Sequence, residues 1–266
     1  MTFVFFHFLL HASLGLLAAL ALVTEKAGGS FFKFCSGTAA FMTAAALGLV
    51  YRRYGLAVGP RSPGGEAYPL VLALTAAALL AMIVYNRAQH FGWRRATRPL
   101  LGTALLLGVA VILLSAPLPG RALYVASDLT SVVLLGAAAG AMILGHWYLV
   151  VLDLPISALR RLTVMLVVGL ALRSLVVVLV LLGPAHAGLE GMGLVAHGLW
   201  SPDGVFVWMR LLFGIAGPLS LVWFIWKTVE IRSTQSATGI LYVQLFLVMS
   251  GELLASYLRV AAGLPL

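Results

Sequence analysis

The chain has 266 residues, of which 62% are hydrophobic and only 9% charged, and its mean hydropathy is +1.07. Soluble domains average about 45–50% apolar and about 25% charged residues, so this composition excludes a soluble enzyme, a disordered chain and a disulfide-stapled secreted scaffold. It predicts an all-α, polytopic membrane bundle forming a single transmembrane domain.

The formal net charge is +9 and the pI is near 10.2. In a membrane chain these are charges of short loops that set orientation, not a nucleic-acid footprint. Arginine outnumbers lysine, and Ala, Leu, Val and Gly abound. That bias fits a GC-rich bacterial genome and hence a bacterial inner membrane. The single cysteine, Cys35, allows no internal disulfide and reads as a small buried side chain.

A hydrocarbon core of roughly 30 Å needs about 20 apolar residues per helix. Eight stretches meet this, at 3–23, 35–52, 68–86, 99–116, 124–150, 162–183, 205–227 and 238–260. The first has no basic residue before it and is too long for a signal-peptide core, so a retained helix is expected. It carries His7 and His11 one turn apart on one face, with Gly15 and Ala18 on the same stripe. Two imidazoles so spaced suit metal or haem ligation; the alternative is a pair of hydrogen-bonded core histidines.

The second and third spans are separated by a Gly/Pro-rich turn, 53–67. His90 falls just past the third. The fifth span begins near Asp128 and ends in Gly145-His146-Trp147-Tyr148, with Gly136 and Gly140 between as a small-xxx-small packing pattern. His146 is a further candidate haem or quinone ligand, beside aromatic residues that anchor a span at the interface.

The sixth span holds Arg173 at its middle, where a charge needs a partner. Glu252 in the eighth span is the obvious one. Glu252, Ser256 and Arg259 form a polar stripe at i, i+4 and i+7. The seventh span carries Arg210 and then Gly217-Pro218, which predicts a kink. The polar run 230–239 enters the eighth span, with Ser and Thr expected to cap it.

Basic residues alternate in number between the two ends. Lys26, Lys33, Arg87, Arg94, Arg95, Arg98, Arg160, Arg161, Lys227 and Arg232 fall at one end. Arg52, Arg53, Arg61 and Arg121 fall at the other, with Arg259 nearby. The richer end is expected to be cytoplasmic. Both chain ends and the 184–204 loop then lie on the non-cytoplasmic side. His7, His11, Asp128, Arg210, Glu252 and Arg259 share a level between the middle and that outer surface, with Arg173 just below.

Nucleotide-loop, zinc-protease, dithiol and nucleophile-elbow motifs are absent, and the eight acidic residues are scattered. Three functions remain. The leading expectation is a membrane redox subunit holding haem b or quinone, with His7, His11 and His146 as ligands and Arg210 and Arg259 facing propionates. His186 and His197 in the 184–204 loop are further ligand candidates, and no other metal is expected. The second is a transporter of a small anionic or amphipathic solute, with Arg173, Arg210 and Arg259 on the anion, Glu252 carrying the proton, and Asp128 and Ser256 lining the pocket. The third is a non-catalytic assembly or scaffold subunit. The expected partners are the lipid bilayer and other membrane subunits.

Overall fold

The computed structural model describes residues 1–55, 67–151, 154–182 and 204–266. All regular structure among these residues is helical. Among the described residues eight helices are long and apolar enough to cross a membrane: α1 Thr2–Leu20, α2 Gly29–Tyr54, α3 Tyr68–Phe91, α4 Arg94–Ser115, α5 Arg121–Trp147, α6 Ser157–Leu182, α7 Gly204–Glu230 and α8 Thr234–Ala262. A short 3-10 turn, Glu25–Ala27, links α1 to α2.

Several helices outrun the apolar stretches from which they are predicted, whereas α1 ends at Leu20 instead of 23 and α5 at Trp147 instead of 150. α2 starts at Gly29 instead of 35, α6 at Ser157 instead of 162, and α8 at Thr234 instead of 238. Hydropathy marks only the part of a helix suited to lipid. The backbone ladder continues through Lys33, Arg160 and Arg161, because a charged side chain ends the apolar stretch without breaking the helix. The polar run before α8 departs from expectation in one respect. The N-cap Ser233 makes no side-chain cap; its hydroxyl bonds Ser236 Oγ at 2.9 Å.

α1 is the hub of the bundle. It packs on α2, α5 and α8, and most of its residues are buried. The α1–α5 contact is a close crossing of small residues. A Cβ on Gly15 would stand 2.6 Å from the Gly136 nitrogen, and one on Gly140 would stand 2.7 Å from Ala19 Cβ. Gly15 and Ala19 therefore face Gly136 and Gly140, one turn apart on each helix, and the backbones meet where any side chain would hold them apart.

α2, α3 and α4 form one flank. Thr43 of α2 donates to Ser13 Oγ of α1 at 2.8 Å, and Asn86 of α3 donates to Lys33 O and Ser36 Oγ of α2, both at 2.8 Å. α6 and α7 form the other flank, packed on α5 and α8. The outward faces carry large apolar side chains, among them Phe41, Leu106, Leu182, Trp223 and Phe246.

α7 is interrupted. Leu212–Ala216 is a π-helical turn in which the Gly217 amide donates to Leu212 O. Pro218 follows. Proline cannot donate to the carbonyl four residues back, and the widened turn is the local response to that missing bond. This π-turn lies immediately before Gly217-Pro218, where a kink is expected.

Candidate functional site

The antiparallel run of helices decides which polar side chains meet. Asp128, His7 and Arg210 lie near the starts of α5, α1 and α7, with His11 mid-way along α1; Arg173, Glu252 and Arg259 lie in the later halves of α6 and α8. Alternating direction brings these segments to one end of the bundle. There they form two linked clusters.

Glu252 is the centre of the first cluster. Arg173 Nε donates to Oε1 at 3.0 Å and Arg173 Nη2 to Oε2 at 2.9 Å. Arg210 Nη2 donates to Oε1 at 2.9 Å, and Ser131 Oγ to Oε2 at 2.6 Å. The rest of the Arg173 guanidinium is also engaged. Its Nη1 donates to Ser127 Oγ at 2.6 Å and Ser127 O at 3.0 Å, and its Nη2 to Leu266 O at 2.7 Å. Arg173, Arg210 and Glu252 are each no more than 2% exposed. A charge at this depth survives only with charge-assisted, forked bonds of this kind.

Asp128 is the centre of the second cluster. Its Oδ1 accepts Arg259 Nη1 and lies 3.6 Å from His11 Nε2. The Arg259 guanidinium also lies over the Tyr124 ring, 5.0 Å from its centroid, and Tyr124 donates to Gly263 O at 2.5 Å. His7 stacks obliquely on His11 with ring centroids 5.9 Å apart. Both imidazoles are buried.

The clusters meet across a small cavity lined by His11, Ser127, Asp128, Ser131, Arg173, Ser256 and Arg259, among others, with a volume of about 10 Å3. That is room for about one water molecule. His11 Nε2, Asp128 Oδ2 and Arg259 Nη2 make no hydrogen bond within the protein, nor do Arg210 Nε and Nη1. A buried polar atom left so costs about 1–3 kcal/mol. Such atoms are rare in folded proteins and call for a reason beyond packing.

The histidines divide. His146, at the other end of α5, is exposed, and its Nδ1 is 3.3 Å from Tyr242 Oη. His90 is exposed on the last turn of α3. Neither joins His7 and His11. His186 and His197 lie outside the described residues. His7 and His11 rise from one face of one helix, so as a pair they cannot take opposite faces of a macrocycle. Arg210 and Arg259 are held by Glu252 and Asp128.

Four participants were not singled out from the sequence: Tyr124, Ser127, Ser131 and the carbonyl of Leu266. Tyr124, Ser127, Asp128 and Ser131 stand at i, i+3, i+4 and i+7, one helical stripe. That spacing could have revealed the first three. The Leu266 contact has no local signal, because it joins residues 93 apart in sequence.

No protein-family model, curated protein or solved structure matches the chain.

Proposed function

We propose that the chain is a multi-pass carrier of the bacterial inner membrane, moving a small anion together with a proton. The Lys/Arg-rich end faces the cytoplasm, following the bias of positive charge toward that side. Eight apolar helices and the bulky apolar residues on their outward faces support membrane insertion.

One observation carries the transport reading. Buried Arg173 and Arg210, from α6 and α7, are held by Glu252 of α8, and half-buried Arg259 of α8 by Asp128 of α5; Arg173, Asp128 and Arg259 line a water-sized cavity with unsatisfied polar atoms on its wall. Asp128 and Glu252 occupy the places a small anion would take between the guanidiniums. In this reading the closed arrangement is an occluded state. An entering anion displaces a carboxylate from arginine, and the released carboxylate takes up a proton. Movement is provided by α7, whose π-turn begins two residues beyond Arg210 and is followed by Pro218. Such interruptions are common at working sites.

The test is flux in proteoliposomes holding the purified full chain and a trapped pH dye. Inward gradients of chloride, nitrate, phosphate and lactate are imposed in turn. At least one should acidify the lumen faster than in protein-free vesicles, and Glu252→Gln should abolish that flux while the protein stays monodisperse. Acidification by none of the four would overturn the reading. A haem band in the purified protein, with and without dithionite, would replace it by the redox one. The fully bonded Arg173 favours a second, purely structural reading. That reading stands if a folded variant with the first cluster made apolar keeps any flux unchanged.

A further inference from the structure

A much larger cavity lies at the opposite end of the bundle, away from the polar clusters. Its volume is about 540 Å3, and α1, α2, α3 and α4 enclose it. This is within the range of sites that take organic ligands. Leu20, Val23, Phe32, Leu101 and Leu105 supply apolar wall. Arg94 and Arg98, one turn apart at the start of α4, stand at its exposed rim.

Two features give this cavity a preference for negative charge. First, α4 opens on Arg94, Arg95 and Arg98 with no acidic residue in its first turn and no side-chain cap at Trp93. The start of a helix already carries about half a positive charge, and cations there are unfavourable by roughly 0.3–1 kcal/mol each. Among the described residues the only acidic one lining the cavity is Glu25, 3.9 Å from Arg94 and itself exposed. It cannot offset three arginines. Second, Tyr85 lines the cavity at 3% exposure. Its hydroxyl accepts Gln89 Nε2 at 3.1 Å, which leaves the phenolic proton to donate.

We propose that this cavity binds one anionic phospholipid. The phosphate sits at the rim on Arg94 and Arg98, at the positive start of α4; an acyl chain runs along Leu20, Val23, Leu101 and Leu105. Guanidinium matches phosphate as a fork, and the apolar wall separates a lipid from free phosphate. The site lies at the Lys/Arg-rich end, which in the orientation proposed above faces the leaflet bearing anionic lipid. It shares no residue with the carrier cluster, so the two proposals stand or fall separately.

The experiment is lipid retention by the purified full chain in detergent, read by native mass spectrometry. Phosphatidylglycerol and phosphatidylcholine of equal chain length are supplied in equal amounts, with glycerol phosphate as a chain-free competitor. One phosphatidylglycerol per chain should persist, at least tenfold over phosphatidylcholine, and glycerol phosphate should not displace it. The double variant Arg94→Gln/Arg98→Gln should lose that preference. Leu101→Trp, which fills the cavity and keeps its charge, should lose the lipid as well. Arg52→Gln/Arg53→Gln, at the other end of the bundle, should retain it. Equal retention of the two lipids by the wild type, displacement by glycerol phosphate, or unchanged retention in Arg94→Gln/Arg98→Gln overturns the proposal.

Discussion

Arg173 and Glu252 meet as a two-bonded fork in the interior, Nε on Oε1 at 3.0 Å and Nη2 on Oε2 at 2.9 Å. Arg210 completes the group from a third helix. The carboxylate thus joins α6, α7 and α8 at one point. Removing its charge should leave two buried guanidiniums without a counter-ion. Glu252→Gln is expected to destabilise the protein by about 3–5 kcal/mol, read as unfolding in detergent. The triple variant Arg173→Met/Glu252→Leu/Arg210→Met should recover most of that loss, since matched apolar residues replace such groups at little cost. Equal loss in both variants would show that shape, not charge, holds the three helices there.

Asp128 should rank next. It holds Arg259 and stands beside His11. Asp128→Asn keeps the shape and removes the charge, so it is expected to cost several kcal/mol, of the order of a broken buried pair. His11→Gln keeps a polar group facing the same cavity and should cost less than half as much. The order of the two unfolding midpoints checks this. A larger effect at His11 would move the centre of the cluster from the carboxylate to the imidazole.

The glycine crossing of α1 and α5 tolerates no side chain. In Gly15→Ala the new methyl would lie 2.6 Å from the Gly136 nitrogen, and the helices must separate. A loss of about 1–3 kcal/mol or more is expected. Gly48→Ala on α2 is the contrast, because a Cβ there meets nothing within 4 Å. It should be neutral, or stabilising by roughly 0.5–1 kcal/mol through helix propensity. Similar melting temperatures for the two variants would contradict the packing.

Gly251 of α8 lies against Gly214 of α7, and a Cβ on it would stand 2.8 Å from the Gly214 nitrogen and 3.0 Å from Arg210 Nη1. Gly251→Ala should push α7 outward and draw Arg210 away from Glu252. A double-mutant cycle with Arg210→Gln measures the link. A coupling of about 0.5–3 kcal/mol is expected for groups in contact, and simple additivity would deny it.

The two ends of the bundle should be separable by labelling in whole cells. Cys35 is fully buried and is replaced by alanine as a precaution. A membrane-impermeant maleimide should then reach Arg121→Cys in intact cells and Arg94→Cys only after permeabilisation. The reverse pattern inverts the proposed orientation and leaves the helix count untouched.

All eight helices were legible in the sequence, because a lipid-spanning helix needs a long apolar stretch and little else imitates one. Their ends were read too short wherever charge begins before the helix stops, as at Lys33 and Arg160. The need for a partner at Arg173 was legible for the same reason, since a central charge in lipid is rarely left alone. The roles of Ser127 and Ser131 were not read. A serine in a helix reads equally well as a side chain bonded to its own turn.

Hydropathy and charge along the chain by themselves determined that this protein is a bundle of apolar helices, how many there are, and which polar residues inside them need an explanation. These are local properties, set by what each segment can expose to its surroundings. Apart from the Arg173–Glu252 pair, which the sequence already suggested, only the tertiary structure decided which of those residues meet. It placed Glu252 between Arg173 and Arg210 and Asp128 between His11 and Arg259, it left His146 at the far end against Tyr242, and it enclosed the cavity behind Arg94 and Arg98. Those choices depend on how far two helices approach and at which turn. Single close contacts such as Gly15 on Gly136 govern that, and no periodicity along one helix records the helix on the other side.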